Sequence, residues 1–240
     1  MAAEGAVALI SDLHLAAVDD PVFRRFRDWL AGPARRLARL YVLGDLFEAW
    51  IGDDDPDPLA AAVAEGLAGL AAGGTEIAFQ HGNRDFLLGE DYARRCGMRL
   101  MPELERIELG GEPCLLLHGD LLCTGDRAYQ AWRAECRRPE WRQGFLARPL
   151  AERQAEARRA REASRGHQRR LDPALADVDP ASVDLAFRRF GVRRMVHGHT
   201  HRPAIHRDAL GRERIVLGEW RAEGGSVLVA ERGELRLERC

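Results

Sequence analysis

Short apolar runs, each closed by a polar cluster and separated by stretches of helical period, constrain this chain most. Val7-Ala8-Leu9-Ile10 has no helical period and reads as a buried strand ending at Asp12. Pro21 then opens a helical pattern in which Val22, Phe23, Phe26, Trp29 and Leu30 share a stripe, with Asp20 as N-cap. Leu40 to Leu43 is a second strand. Leu59, Val63, Leu67 and Leu70 mark the next helix, stopped by Gly73-Gly74. Glu76 to Phe79 is a third strand, ending at the His81-Gly82-Asn83 turn. The layout repeats less regularly up to His118, with Cys114 to Leu117 as its last strand, and Arg194 to His197 is a shorter run of the same kind. This alternation predicts a layered α/β domain. The polar clusters fall just past the strand C-termini, the edge where such folds place ligands, and strand ends hold side chains on rigid backbone.

From Thr124 to about Val178 the character changes. Charge density rises, the period becomes helical, and Tyr129, Trp132, Cys136 and Trp141 alternate with arginines. Ala151 to Ser164 is charged and Ala-rich. A solvated helix accounts for it. The alternative is a helical insertion over the strand-end site, with Arg148, Arg153, Arg158, Arg159, Arg161 and Arg165 lining an anionic cleft and Trp141, Phe145, Leu146 and Leu150 meeting something apolar. Ser182 to Phe190 is helical again. Ile215 to Leu217 and Val227 to Val229 read as strands of a second sheet. One domain, residues 1–240, carrying an insertion at 124–178, is the expected organisation.

Composition narrows the partners. The formal net charge of -2 argues against a general nucleic-acid binder, and nothing points to an obligate protein partner. Every basic residue other than histidine is arginine, which genomic composition bias explains, though guanidinium forks suit phosphate wherever they converge. The cysteines Cys96, Cys114, Cys123, Cys136 and Cys240 are odd in number with no CxxC pair, so a disulfide framework or zinc knuckle is not expected and a reducing compartment is. Met1 to Val7 has no basic segment before a long apolar one, and no run approaches the ~18 apolar residues of a membrane span. Peripheral attachment stays open.

The polar clusters carry the chemistry. They are Asp12-Leu13-His14, Gly44-Asp45, Gly82-Asn83-Arg84-Asp85 with His118-Gly119-Asp120, and Gly198-His199-Thr200-His201. Each has a bland reading alone: an exposed aspartate, or a core histidine donating to backbone. Together they supply carboxylate, imidazole and one amide without thiolate, the ingredients of a dinuclear hydrolase. Asp12 and His14, two apart on extended chain, can point to one side, and the oxygens of Asp45 can bridge. The expected sets are Asp12, His14, Asp45 and His201 for one ion, and Asp45, Asn83, His118 and His199 for the other. Manganese, iron or zinc suits this donor mixture. Two ions about 4 Å apart can activate water and clamp phosphoryl oxygens.

These clusters resemble the calcineurin-like metallophosphoesterase superfamily. Gly44-Asp45-Leu46-Phe47-Glu48-Ala49-Trp50-Ile51-Gly52-Asp53-Asp54, His81 to Gly89, and His197-Gly198-His199-Thr200-His201-Arg202-Pro203 are similar to the UDP-2,3-diacylglucosamine diphosphatases of Gram-negative bacteria. The resemblance implies a four-layer αββα sandwich with a helical lid that carries an acyl-chain groove. It implies Mn2+-dependent hydrolysis of UDP-2,3-diacylglucosamine to UMP and 2,3-diacylglucosamine 1-phosphate (lipid X) in lipid A biosynthesis, by attack on the uridine-side phosphorus. Two Mn2+ ions, an acylated UDP-sugar substrate and peripheral attachment to the cytoplasmic face of the inner membrane come with it.

The resemblance also assigns residues. Asp45, Asn83 and Arg84 would serve catalysis; Asn83, Arg84, Asp126, Tyr129, Ser164, Arg165 and His199 would contact substrate. Many members of the superfamily have histidine after the Gly-Asn pair, where this chain has Arg84. Its guanidinium stays charged and can hold a diphosphate, but is a poor general acid. His167 to Leu171 depart from the Ser/Lys-rich pattern of the relatives. Trp50, Phe86 and Trp220 read as packing residues. Two competing readings are a hydrolase of soluble nucleotides on the same core, and a non-enzymatic scaffold that has lost its ligands, which the complete ligand set disfavours.

Overall fold

The computed structural model describes residues 5–170, 172 and 175–240. Met1 to Glu4 and Leu171 lie outside them. The first sheet is built from β1 (Ala6–Ile10), β2 (Leu37–Leu43), β3 (Glu76–Gln80), β4 (Met98–Leu100), β10 (Ser226–Glu231) and β11 (Glu234–Arg239), in the order β11-β10-β1-β2-β3-β4. The second holds β5 (Glu105–Leu109), β6 (Glu112–Leu116), β7 (Arg194–His197), β8 (Ala204–Arg207) and β9 (Glu213–Val216), ordered β5-β6-β7-β9-β8. Strands β1 to β4 run parallel, as do β6, β7 and β9, and antiparallel strands close one end of the first sheet and both ends of the second.

Period-two alternation sorts the strand residues into layers. Ala8, Ile10, Leu40, Val42, Ile77 and Phe79 face α1 (Pro21–Ala31), α2 (Pro58–Ala72) and α3 (Glu90–Cys96). Leu9, Tyr41, Leu43 and Ala78 face the other way, onto Cys114, Leu116, Val196 and Ile215 of the second sheet. The outer face of that sheet, Leu115, Leu117 and Met195, packs on Phe187 of α7 (Pro180–Phe190). Both sheets are therefore buried on both faces, which is why their central strands are continuously apolar. Helix, sheet, sheet, helix is the expected sandwich.

Helix starts follow the side-chain rule. Asp20, Asp57 and Asp179 each accept from the first-turn backbone of a helix that opens on proline. One sequence expectation is corrected: Val227 to Val229 belongs not to the second sheet but to β10, antiparallel to β1 with Val7 opposite Ala230. Ile215 to Val216 does lie in the second sheet, as β9.

Between β6 and α7 the described residues form three α-helices, α4 (Arg127–Cys136), α5 (Pro139–Leu146) and α6 (Leu150–Gln168). They join the main core through Cys136 and Phe145, both buried. Arg133 and Arg137 tie α4 to the body: Arg133 Nε donates to Asp120 at 2.7 Å and its Nη2 to Glu103 at 2.8 Å, while Arg137 Nη2 donates to the carbonyl of Gly82 at 2.7 Å. Helix α6 keeps Arg158, Arg159 and Glu162 in solvent while Arg153 and Ala157 turn inward, so one face is solvated and the other docked.

Candidate active site

Asp12 and His14 follow β1, Asp45 follows β2, Asn83 follows β3, His118 follows β6, and His199 and His201 follow β7. Backbone hydrogen bonds bind these loops edge to edge. Asp12 N donates to Gly44 O at 3.1 Å, His14 N to Asp45 O at 3.0 Å, and Gly198 N to His118 O at 2.8 Å. Asp85, fully buried, gathers two loops with one carboxylate, accepting from Leu46 N at 2.7 Å and Gly82 N at 2.9 Å. Close approach requires glycine: a Cβ at Gly82 would lie 2.1 Å from Asp45 Oδ1, and one at Gly198 2.1 Å from Asp12 Oδ2.

The side chains converge as two overlapping sets. Asp12, His14 and His201 present ligand atoms within 4.8 Å of one another, and so do Asp12, Asp45 and His118. His14 Nε2 lies 3.2 Å from His201 Nε2 and 3.8 Å from Asp45 Oδ2. His118 Nε2 lies 3.7 Å from Asp45 Oδ2 and 3.0 Å from Asn83 Oδ1, which in turn is 2.9 Å from His199 Nδ1. The donors match a pair of divalent cations, with Asp45 between the sets and Asp12 reaching both. His118 Nδ1 donates to Leu43 O at 2.8 Å, which leaves its Nε2 lone pair for a cation.

Among the described residues, five of the six non-glycine residues with positive φ are members of this cluster: Asp12 (56°), His14 (48°), Asp45 (53°), His199 (66°) and His201 (54°). Left-handed backbone at such residues costs roughly 1 kcal/mol each and gathers at functional sites. Here it turns alternate side chains inward at the strand ends.

The electrostatics demand positive charge. Burial would raise the Asp12 carboxyl, but the hydrogen bond to His201 and the imidazoles of His118, His201 and His14 hold it well below the usual carboxylate range. Burial would lower His14, yet the hydrogen bond to Glu48 and the carboxylates of Asp45 and Asp12 push it up to about 9. His199 is pushed down to about 4, by burial first and then by His118. Buried carboxylates at this density are satisfied by protons on the imidazoles or by divalent cations competing for the same lone pairs.

Carboxylates orient the histidines from behind. Glu48 Oε2 sits 3.1 Å from His14 Nδ1, and Glu219 Oε2 sits 3.3 Å from His201 Nδ1. Neither is legible as a site residue in the sequence, because single glutamates in charged loops carry no pattern, and the role of Asp85 emerges only from its hydrogen bonds.

Beside the cluster runs a groove of about 370 Å3 between the strand-end loops and the insertion. Asn83, Arg84 and Glu48 form its polar end; Trp50, Ile51, Phe86, Leu87, Trp132, Trp141 and Phe145 line the rest. Trp50 and Phe86 are therefore groove walls as well as packing residues, whereas Trp220 packs on Phe26 and Trp29. Two arginines reach the groove, Arg84 and Arg161, and in each the Nε is buried without a hydrogen-bond partner among the described residues.

The remaining expected contacts divide. Ser164 lines the groove. Tyr129 also lines it, with its ring stacked 6.2 Å from that of His199, while its hydroxyl donates to Asp120 at 2.6 Å. Asp126 caps α4 by accepting from Tyr129 N at 3.0 Å and pairs with His167 at 2.8 Å. Arg165 stays largely exposed, 3.5 Å from Glu48. The arginine-lined cleft is corrected: Arg158 and Arg159 point to solvent, Arg148 pairs with Glu156, Arg153 is buried against Asp54 and Ile51, and only Arg161 faces the groove. All five cysteines are free.

Comparison with known proteins agrees with this geometry. The calcineurin-like phosphoesterase family matches residues 5–203. A "UDP-2,3-diacylglucosamine hydrolase" of Xanthomonas campestris pv. campestris is 50% identical over 239 residues, covering 95% of this chain and 96% of the relative. One of the same name from Stenotrophomonas maltophilia is also 50% identical over 239 residues, with the same coverage of 95% and 96%. Among solved structures, a dimetal phosphatase from Danio rerio aligns with a TM-score of 0.54 at 15% identity, over 99% of this chain and 96% of that one. An archaeal phosphodiesterase aligns at 0.50 and 11% identity, over 98% and 99%. At such identities the structural likeness speaks for the fold.

Proposed function

The chain belongs to the calcineurin-like phosphoesterase family, and from that premise we propose that it hydrolyses UDP-2,3-diacylglucosamine to UMP and 2,3-diacylglucosamine 1-phosphate. One juxtaposition carries the reading: a cluster built for two cations opens directly onto an apolar groove, with Arg84 and Arg161 at the junction. A diphosphate with a nucleoside on one side and an acylated sugar on the other has that same polarity. Relatives about half identical over nearly the full length bear the name of this hydrolase. The bridging residue pattern suits Mn2+, which we propose as the metal at both positions.

Asp12, His14, Asp45 and His201 would hold one ion, and Asp45, Asn83, His118 and His199 the other. When bound, the pair supplies Lewis acidity toward the phosphoryl oxygens and activates water. The chain's own residues do the rest. Asn83 offers an amide oxygen without adding negative charge where an anion must enter. Arg84, with an unpartnered buried Nε, neutralises diphosphate charge as it develops. Attack falls on the uridine-side phosphorus, and the leaving group is a phosphate monoester, which departs without a proton donor. Ser164, Tyr129 and the groove walls position the acylated sugar, with Asp126 and Arg165 at its rim. The insertion at 124–178 acts as the lid of a single domain.

The acyl chains also place the protein. No helix among the described residues is long and apolar enough to cross a membrane, and we infer peripheral attachment at the cytoplasmic face of the inner membrane, where such a substrate resides. The deciding experiment is turnover of UDP-2,3-diacylglucosamine by chelator-treated protein with and without Mn2+, in 18O-water. Mn2+-dependent formation of both products, with the label in UMP, is expected. Turnover of soluble UDP-sugars at equal efficiency would shift the assignment to a nucleotide hydrolase.

A further inference from the structure

Glu48 touches both the metal cluster and the lid. Its Oε2 lies 3.1 Å from His14 Nδ1, and its Oε1 accepts from Arg161 Nη2 of α6 at 2.8 Å. Arg165, one helical turn on, approaches the same oxygen at 3.5 Å. Glu48 is 17% exposed at its side chain, so its bonds to His14 and Arg161 are half-shielded from water, while Arg165 remains exposed. Its position is set from below by backbone: Glu48 N donates to Leu15 O at 3.0 Å, joining the loop after β2 to the loop after β1.

We propose that Glu48 is a positioning residue that couples cation binding at His14 to the seating of α6. One carboxylate serves two clients. The first is the Nδ1–H of His14, whose orientation directs Nε2 toward Asp12 and His201. The second is the guanidinium of Arg161, which reaches Glu48 from α6 and lines the groove. A cation that fixes His14 fixes Glu48, and a fixed Glu48 presents Arg161 with a formed acceptor. Linkage then runs both ways: seating α6 tightens cation binding by the same factor. The lid would thus be drawn down over a loaded centre in preference to an empty one. This coupling rests on the reading of Asp12, His14 and His201 as cation ligands.

The test uses full-length protein stripped of metal by chelation, with Mn2+ as the probe. Binding is followed by calorimetric titration, and α6 by hydrogen exchange of the peptide spanning 150–168, with and without Mn2+. Glu48→Gln is expected to weaken Mn2+ binding about 10–100-fold, as loss of an orienting carboxylate does. Arg161→Gln, a lid substitution with no contact to a ligand, should weaken it several-fold. Mn2+ should slow exchange in α6 of the unaltered protein and of Glu162→Gln, an exposed neighbour, but not of Arg161→Gln or Glu48→Gln. Normal Mn2+ affinity in Arg161→Gln, or α6 exchange indifferent to Mn2+ in the unaltered protein, overturns the coupling. Failure of the unaltered protein to bind Mn2+ overturns the metal centre itself. If Glu48→Gln does not fold, Arg161→Gln alone decides the matter.

Discussion

Replacing Arg153 by methionine should loosen the lid without touching the chemistry. The residue is 2% exposed. Its guanidinium donates to Ile51 O at 2.6 Å, to Asp54 Oδ1 at 2.8 Å and, through Nε, to Arg148 O at 3.0 Å. Methionine keeps most of the aliphatic stem and removes every donor. Each bond from a charged donor to a carbonyl is worth about 1.5–3 kcal/mol. The ion pair adds at most about 1 kcal/mol, because the Asp54 side chain is 66% exposed. Against this, the buried guanidinium no longer has to be desolvated, which returns several kcal/mol. A net loss of about 2 kcal/mol follows, or roughly 30-fold in the equilibrium between docked and open α6. Hydrogen exchange of the segment 150–168 should accelerate by about that factor while β1 to β3 stay protected. KM for the acylated substrate should rise, with little change in Mn2+ stoichiometry. Unchanged α6 exchange would refute the idea that this buried arginine pins the lid to the Gly52 loop. Equal acceleration in the central strands would show that Arg153 supports the whole core instead.

Arg84→Ala should lower kcat by at least about 100-fold while leaving metal content intact; parallel loss of both in kinetics and elemental analysis would remove its role at the phosphates. Chelation should abolish turnover and lower Tm, and Mn2+ should restore both; a Tm indifferent to Mn2+ in a melting scan would count against the cluster as a cation site. Burying about five acyl methylenes in the groove contributes ~4 kcal/mol, so kcat/KM for the diacylated substrate should exceed that for bare UDP-glucosamine about 1000-fold, and Trp141→Ala should narrow the gap. Burial pushes the thiols of Cys96, Cys114 and Cys123 up to about 12 and Cys136 up to about 11. A disulfide reagent at pH 8 should therefore find at most Cys240 before denaturation, since at that pH the buried thiols remain protonated, and all five cysteines after it.

Strands buried on both faces announced themselves, and strands at the edges did not. β1, β2, β3 and β6 are apolar runs with no competing helical period, and their recognition placed Asp12, Asp45, Asn83 and His118 at strand ends. β5, β8 and β11 alternate or expose their side chains, and their charged residues hide them among loops. The sheet to which β10 belongs depends on pairing with Val7 to Leu9, more than two hundred residues away in sequence, and no local pattern encodes it. At the site, the clustered donors were legible because Asp, His and Asn recur in short motifs beside glycine. Glu48 and Glu219 were not, since their role comes from position in space alone. Six arginines along the insertion offered equal claims on the groove until the docking of α6 turned one of them inward.

The left-handed backbone at Asp12, His14, Asp45, His199 and His201 has an evolutionary consequence. These five positions burden the fold with about 5 kcal/mol of conformational strain, a burden selection tolerates only while the side chains there are useful. A descendant released from its chemistry would gain stability by exchanging them for glycine, which occupies that region of backbone space freely. Decay of this enzyme should therefore leave a recognisable scar: glycine at these left-handed positions rather than the alanine or serine that drift leaves elsewhere. Glycine placed at His199 or His201 in the laboratory should raise the melting temperature of the metal-stripped chain as it extinguishes activity, whereas at Asp12 and Asp45, whose carboxylates accept from His199 N and Arg84 N, the lost acceptor offsets the relieved strain.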